Sequence, residues 1–151
     1  MLPTLIFGKK HVFARFNNEL IDWLNQAKQL QRGEGVIDTI TNIDSLINEM
    51  RLIKDESEIA RMKVAAQISA YGHIRAMQSV ASMMQKNQGN ESRLEAEVNY
   101  AFAQYGCVPS YNSIVAGGDN ANILHYVEND QPLHDGDLVM IDAGAEYQHY
   151  A

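Results

Sequence analysis

The sequence predicts an α+β fold, on three observations. Residues 55–84 and 91–105 carry apolar side chains at steps of three and four, the spacing of amphipathic helices. After Pro109 the pattern changes to short apolar runs separated by glycine and aspartate turns, which reads as β structure. The composition, 46% hydrophobic and 21% charged over 151 residues, is that of a globular chain of about one domain.

Several function classes fall away at once. The net charge is −7 and the lysines and arginines are scattered, so a nucleic-acid footprint is not expected. No apolar run approaches the roughly 20 residues of a membrane span, so no membrane partner is expected. No segment repeats at a solenoid period. The N-terminal apolar stretch is short and its Lys9-Lys10 pair follows it, unlike a secretory signal. Cys107 is the only cysteine, which rules out an internal disulfide and favours a reducing compartment. The expected location is cytoplasmic.

The elements follow in order. Leu5-Ile6-Phe7 and Val12-Phe13-Ala14 flank a Gly8-Lys9-Lys10 turn as short strands. Asn17 or Asn18 caps a helix whose inner face holds Leu20, Leu24, Ala27 and Leu30, with Trp23 beside it. Gln31 to Gly35 ends that helix, Val36 to Ile40 reads as a strand, and Asn42 to Arg51 reads as a connector. The strongest helix starts at Asp55, with Glu58 at the reciprocal capping-box position. Its expected core stripe is Ile59, Met62, Ala66, Ser69, His73, Met77, Val80 and Met84. A second helix buries Leu94, Val98, Phe102 and Tyr105 and ends at Gly106, since glycine accepts the left-handed conformation that closes helices.

The last third reads as strands and turns. Tyr111 to Val115 and Ile123 to Tyr126 are expected strands, with turn chemistry at Gly117 to Asn120 between them. Asp135-Gly136-Asp137 is a second turn, followed by a buried strand Leu138 to Ile141 that leads into Asp142. Glu146 to Tyr150 begins its hairpin partner.

Asp142 and His125 are the residues that carry chemistry. A carboxylate at the end of an apolar strand must be hydrogen-bonded or bind a cation, because desolvation penalises it otherwise. Ala143 and Gly144 leave room beside it. A turn carboxylate satisfied by backbone amides and a metal ligand both fit. A histidine within an apolar strand can stabilise a developing oxyanion or sit in the core bonded to backbone. His73 reads as a packing residue on a helix, Cys107 as an inert buried thiol, and His11, His134 and His149 have no convergent partners in the sequence. The glycine pair 117–118 is no phosphate loop, and neither G-x-x-x-x-G-K-[ST] nor H-E-x-x-H occurs.

Two segments resemble a known family. Pro109-Ser110-Tyr111-Asn112-Ser113-Ile114-Val115, with Gly118-Asp119-Asn120-Ala121-Asn122-Ile123-Leu124-His125-Tyr126, is similar to the aminopeptidase P and prolidase group. Asp135 to Gly144 resembles that family's first metal-ligand strand, and Met50 to Ile59 resembles the start of its catalytic domain. The likeness covers roughly residues 49–151, whereas 1–45 resembles only loosely the end of the family's N-terminal domain. The division implied is 1–48 as the tail of an N-terminal α/β domain with its linker, and 49–151 as the first half of a pita-bread catalytic domain.

The resemblance implies metal-dependent removal of the N-terminal residue from peptides with proline at the second position. It implies two divalent metal ions, typically manganese, bridged by water and held by two Asp, one His and two Glu. Asp142 would be the first of these ligands, and His125 the histidine that contacts substrate. The other ligands would lie beyond Ala151, so the chain is expected to be an incomplete, inactive fragment of a homo-oligomeric parent. The alternatives are a prolidase acting on Xaa-Pro dipeptides, more remotely a methionine aminopeptidase or creatinase, and a non-catalytic pita-bread module that binds peptides or proteins.

Overall fold

A computed structural model describes residues 8–30 and 37–151, apart from the side chains of Lys28 and Leu30. They fall into two compact units, Met1–Lys54 and Asp55–Ala151. The expected strand at Leu5 to Phe7 and the helix stop at Gln31 to Gly35 lie outside the described residues, as does Val36.

In the first unit, β1 (His11–Ala14) and β2 (Thr39–Asn42) pair in parallel, with His11 opposite Thr39 and Ala14 opposite Asn42. Parallel neighbours need a crossover, and α1 (Asn18–Leu30) lies between them in sequence. Asn17 caps α1, its Oδ1 accepting from the Leu20 amide at 2.7 Å. Leu24 and Ile37 are buried. The second strand starts three residues later than expected, because the amides of Asp38 and Thr39 are both drawn to the Lys10 carbonyl before the ladder begins. The expected connector from Asn42 to Arg51 is instead a helix, α2 (Asp44–Leu52). Asn42 Oδ1 accepts from the Asp44 amide at 3.0 Å. Ile43, Leu46, Ile47 and Met50 fall at i, i+3, i+4 and i+7, a helical period the connector reading overlooked.

The second unit is built on α3 (Glu56–Gln85) and α4 (Glu91–Gln104). The expected capping box is formed: Asp55 Oδ1 accepts from the Glu58 amide at 2.9 Å, and Glu58 Oε2 from the Asp55 amide at 2.7 Å. The expected stripe on α3 is displaced. The buried positions are Ala65, Ile68, Gly72 and Ala76, whereas Met77 is 63% exposed and Ala66 is exposed. Close approach of the helices decides this. A Cβ on Gly72 would lie 2.8 Å from Phe102 Cε1 and 3.3 Å from Val98 Cγ1, so small residues take the seam there and Met77 is turned aside, whereas Val80 and Met84 of the expected stripe pack against the core. His73 is half-buried and its Nδ1 lies 2.8 Å from the Ser69 carbonyl.

On α4, Leu94, Val98, Ala101 and Phe102 are buried, while Tyr105 is exposed and meets Tyr71 edge-on. Tyr105 departs from the expected face because it is the last, half-helical residue. Gly106 follows at φ +69°, and the amides of Gly106 and Cys107 bond back to the carbonyls of Ala103 and Phe102. This pair of bonds is a Schellman motif.

Three short antiparallel or parallel pairs make up the β structure of the described residues. In the second unit β3 (Val108–Pro109) pairs with β6 (Ala145–Glu146), and β4 (Ile114–Gly117) pairs with β5 (Val139–Asp142). Ile114 stands opposite Asp142 and Gly117 opposite Val139. Val115, Val139 and Ile141 join the helical core around Leu94, Val98 and Phe102, while Ile114, Ala116 and Met140 pack with Tyr126 on the opposite face. Four expectations are corrected. The strand expected from Tyr111 begins at Ile114. Residues 123–126 form no strand, because a 3-10 turn (Gly118–Asn122) carries the chain away from the ladder. Leu138 is 85% exposed and Val139 to Ile141 are only half-buried. Beyond β6, Tyr147 and Tyr150 exchange both backbone bonds around Gln148 and His149 at positive φ, the signature of a two-residue hairpin turn. No helix among the described residues is long and apolar enough to cross a membrane.

Candidate metal-ligand strand and the histidine loop

Asp142 is the last residue of β5. Alternation along the strand places it with Met140, on the face away from the helices. It is exposed, not desolvated, so burial does not force a partner on it as the strand pattern led one to expect. Its partner is a phenol: Tyr111 donates to Asp142 Oδ1 at 2.5 Å. That bond, then burial, then the carboxylate charge push the Tyr111 pKa up to about 12. The Tyr111 ring fits because residue 144 is glycine. A Cβ there would lie 3.0 Å from Ser110 Oγ and 3.3 Å from Tyr111 Cε1. The Gly144 carbonyl accepts from the amide and hydroxyl of Ser110, at 2.9 and 3.0 Å, which fixes the approach of Tyr111. Oδ2 of Asp142 takes no hydrogen bond from the described residues. Among those residues, no three His, Cys, Asp or Glu side chains gather as a metal site requires.

His125 occupies a turn, not the expected apolar strand. It is exposed, and its backbone lies in the left-handed region at φ +56°. The next residue, Tyr126, is buried against Ile114 and Ala116 on the Asp142 face of the sheet. The loop from Gly118 to Gln131 is tied down by two side chains that sequence reasoning missed. Glu91, in the first turn of α4, is 0% exposed. Its Oε1 accepts from the Gly117 amide at 2.8 Å and Asn120 Nδ2 at 3.0 Å; its Oε2 accepts from the Tyr126 hydroxyl at 2.6 Å and the Gln131 amide at 3.0 Å. Burial alone would raise the Glu91 pKa, but the bonds from Asn120, Gly117, Tyr126 and Gln131 outweigh it and hold the carboxyl below its ordinary value. The bond to Glu91, with burial and the carboxylate charge, pushes the Tyr126 pKa up to about 12. Asn129, also buried, accepts from the Val115 amide at 2.9 Å and donates to the Ser113 carbonyl at 2.8 Å.

The remaining candidates are plain. Cys107 is buried, and burial pushes its thiol pKa up. His134 lies 3.4 Å from Asp137 Oδ2 and His149 3.8 Å from Glu146, both on the surface. His11 is exposed on β1.

An antiparallel strand pair backed by two helices, ending in an exposed carboxylate on the face away from them, is the architecture of one half of a pita-bread metallopeptidase. The chain belongs to metallopeptidase family M24, which residues 60–151 match. The relatives it resembles include Xaa-Pro aminopeptidases and the mitochondrial intermediate cleaving peptidase 55 of Arabidopsis thaliana, 36% identical over 112 residues. It is 52% identical over 108 residues to the Haemophilus influenzae Xaa-Pro aminopeptidase, a match covering 70% of this chain and 24% of that protein. Its fold is that of aminopeptidase P: a variant of the Escherichia coli enzyme solved in complex with substrate superposes with a TM-score of 0.83 at 35% identity, over 98% of this chain and 34% of that one. A zinc-substituted form of the same enzyme, in complex with product, matches equally at 0.83, 35%, 98% and 34%. The chain thus spans about a quarter of the length of the curated relatives it matches.

Proposed function

We propose that this chain contributes the first half of the active site of a metal-dependent Xaa-Pro aminopeptidase, which removes the N-terminal residue from peptides with proline second. The observation that carries the reading is Asp142, exposed at the end of β5 and oriented by Tyr111 within a fold shared with aminopeptidase P. In the same reading 1–48 belongs to a preceding α/β domain and 49–151 to the catalytic domain, the protein is cytoplasmic, and the complete enzyme is a homo-oligomer.

The donor chemistry fits a hard divalent ion. Asp142 offers a carboxylate oxygen, the ligand type that manganese accepts. One carboxylate does not make a two-metal site, so the further ligands come from outside these 151 residues, on a longer chain or on another. The ions, two manganese in this proposal, supply Lewis acidity and lower the pKa of the water they bind. Tyr111 holds Oδ1 and so fixes the carboxylate plane, the task of a partner behind a metal ligand. His125 donates to the scissile carbonyl oxygen as negative charge develops there. Tyr126 supports this role, since it follows His125 directly and packs on the sheet face that carries Asp142.

The test uses the complete enzyme, in which these residues stand with the remaining ligands, on Xaa-Pro-Yaa peptides and Xaa-Pro dipeptides, with and without chelator. Turnover of the longer peptides that chelator abolishes is expected. Asp142→Ala removes a ligand and most of the activity. His125→Ala leaves metal content intact and lowers kcat by about 100-fold, the usual cost of one charge-stabilising donor. Turnover of dipeptides alone makes the protein a prolidase. Turnover indifferent to thorough metal removal refutes the mechanism, and no turnover with bound peptide makes it a binding module.

A further inference from the structure

Glu91 stands where an ordinary helix places a solvated acid. Carboxylates are common in a first turn because they complement the helix dipole, and a solvated side chain suffices for that. This one is 0% exposed and spends both oxygens on four donors. A charge is buried at a large desolvation cost unless every lone pair is engaged, so the arrangement tolerates little change. The donors come from the end of β4, the 3-10 turn, the residue after His125, and the far end of the loop. They therefore bracket one segment, 117–131, with His125 between them. His125 itself holds a positive φ of 56°, which a non-glycine residue keeps only when its surroundings impose it.

We propose that Glu91 is the positioning residue for His125: its buried carboxylate clamps the 117–131 segment to the sheet and so sets where the imidazole is presented. The proposal rests on the reading of His125 as the charge-stabilising donor. Glu91 touches neither metal nor substrate in this arrangement, and its influence on the reaction passes through the loop. Small misplacements of a reacting group are costly, so the clamp controls turnover more than binding.

The test is a double-mutant cycle in the complete enzyme with Glu91→Gln, His125→Ala and the pair. Glutamine keeps an acceptor for Gly117 and Asn120, but its amide nitrogen cannot accept from the Gln131 amide. Glu91→Gln is expected to lower kcat by about 10-fold while KM and metal content stay within about twofold. In the His125→Ala background the same change is expected to cost nothing further, because the group it positions is gone. Should Glu91→Gln fail to fold, Tyr126→Phe removes one donor of the four and is expected to lower kcat about threefold, again only where His125 is present. Wild-type turnover in Glu91→Gln, or losses that multiply in the double variant, overturns the proposal while leaving the reaction intact. An enzyme without Xaa-Pro turnover, or one indifferent to His125→Ala, refutes the reading of the reaction and the proposal with it.

Discussion

Replacing Gly72 by alanine sets two effects of opposite sign against each other. In a helix interior alanine is favoured over glycine by about 1 kcal/mol, so an unobstructed site would be stabilised. The site is obstructed. The new Cβ would lie 2.8 Å from Phe102 Cε1 and 3.3 Å from Val98 Cγ1, where carbon atoms prefer about 3.5–4.0 Å. Phe102 and Val98 are fully buried, so neither can swing into solvent. Overpacking of this kind costs about 1–3 kcal/mol. The clash outweighs the propensity, and a net loss of about 1 kcal/mol is expected. Urea unfolding of the 151-residue chain, followed by far-ultraviolet circular dichroism, reads the change as a midpoint lowered by roughly 0.5 M. Trp23, the only tryptophan, lies in the other unit and reports that unit separately. In a Phe102→Leu background the closer contact is relieved while Val98 Cγ1 stays at 3.3 Å, so the same Gly72→Ala change should be about neutral, a coupling of about 1 kcal/mol. A raised midpoint for Gly72→Ala in the wild-type background would refute the reasoning, because the seam would then have room to spare.

Three further outcomes are expected. The Glu91 carboxyl is held below its ordinary value of 4.5, so its contribution to stability is present above that pH and is lost as pH falls through the folded pKa; urea midpoints measured against pH should show an acid limb that Glu91→Gln flattens. The Tyr111 phenol is raised from 10.0 to about 12, so the stability it draws from Asp142 is complete below pH 10 and disappears as pH climbs towards 12; ultraviolet titration should find one late-ionising tyrosine fewer in Asp142→Asn. The 151-residue chain alone should show neither Xaa-Pro hydrolysis nor manganese binding tighter than about 1 mM by calorimetry, since one exposed carboxylate competes poorly with water; stoichiometric binding with sustained turnover would mean that the chain completes its site by another route, such as dimerising.

Much of the architecture was legible because it rests on local chemistry. The capping box at Asp55 and Glu58, the Asn17 cap and the Gly106 terminus each depend on residues within a few positions of one another, and all three are formed. The misread parts depend on contacts distant in sequence. The core face of α3 is chosen by how closely Phe102 approaches Gly72, which no periodicity within α3 records. Residues 123–126 have strand composition, yet the pull of Glu91 on Tyr126, 35 positions away, holds them in a loop. Glu91 itself was hidden by position, since an acid after the Asn90 cap looks like any first-turn glutamate. Tyr111 stood inside the motif that carried the family resemblance, and only the geometry shows it donating to Asp142.

The side chains of Asn129 and Glu91 have one more consequence. Along β4 the amides of Val115 and Gly117 and the carbonyl of Ser113 point away from β5, and these are the groups that Asn129 and Glu91 engage. Asn129 offers its own amide as one link of a counterfeit neighbour strand. An unpaired strand flank is ordinarily a template on which other polypeptides zip up, and here two fixed side chains have already filled it. Two amides and one carbonyl on the β4 flank are thereby withdrawn from pairing with further backbone, which favours growth of the sheet on the β5 side, next to Asp142.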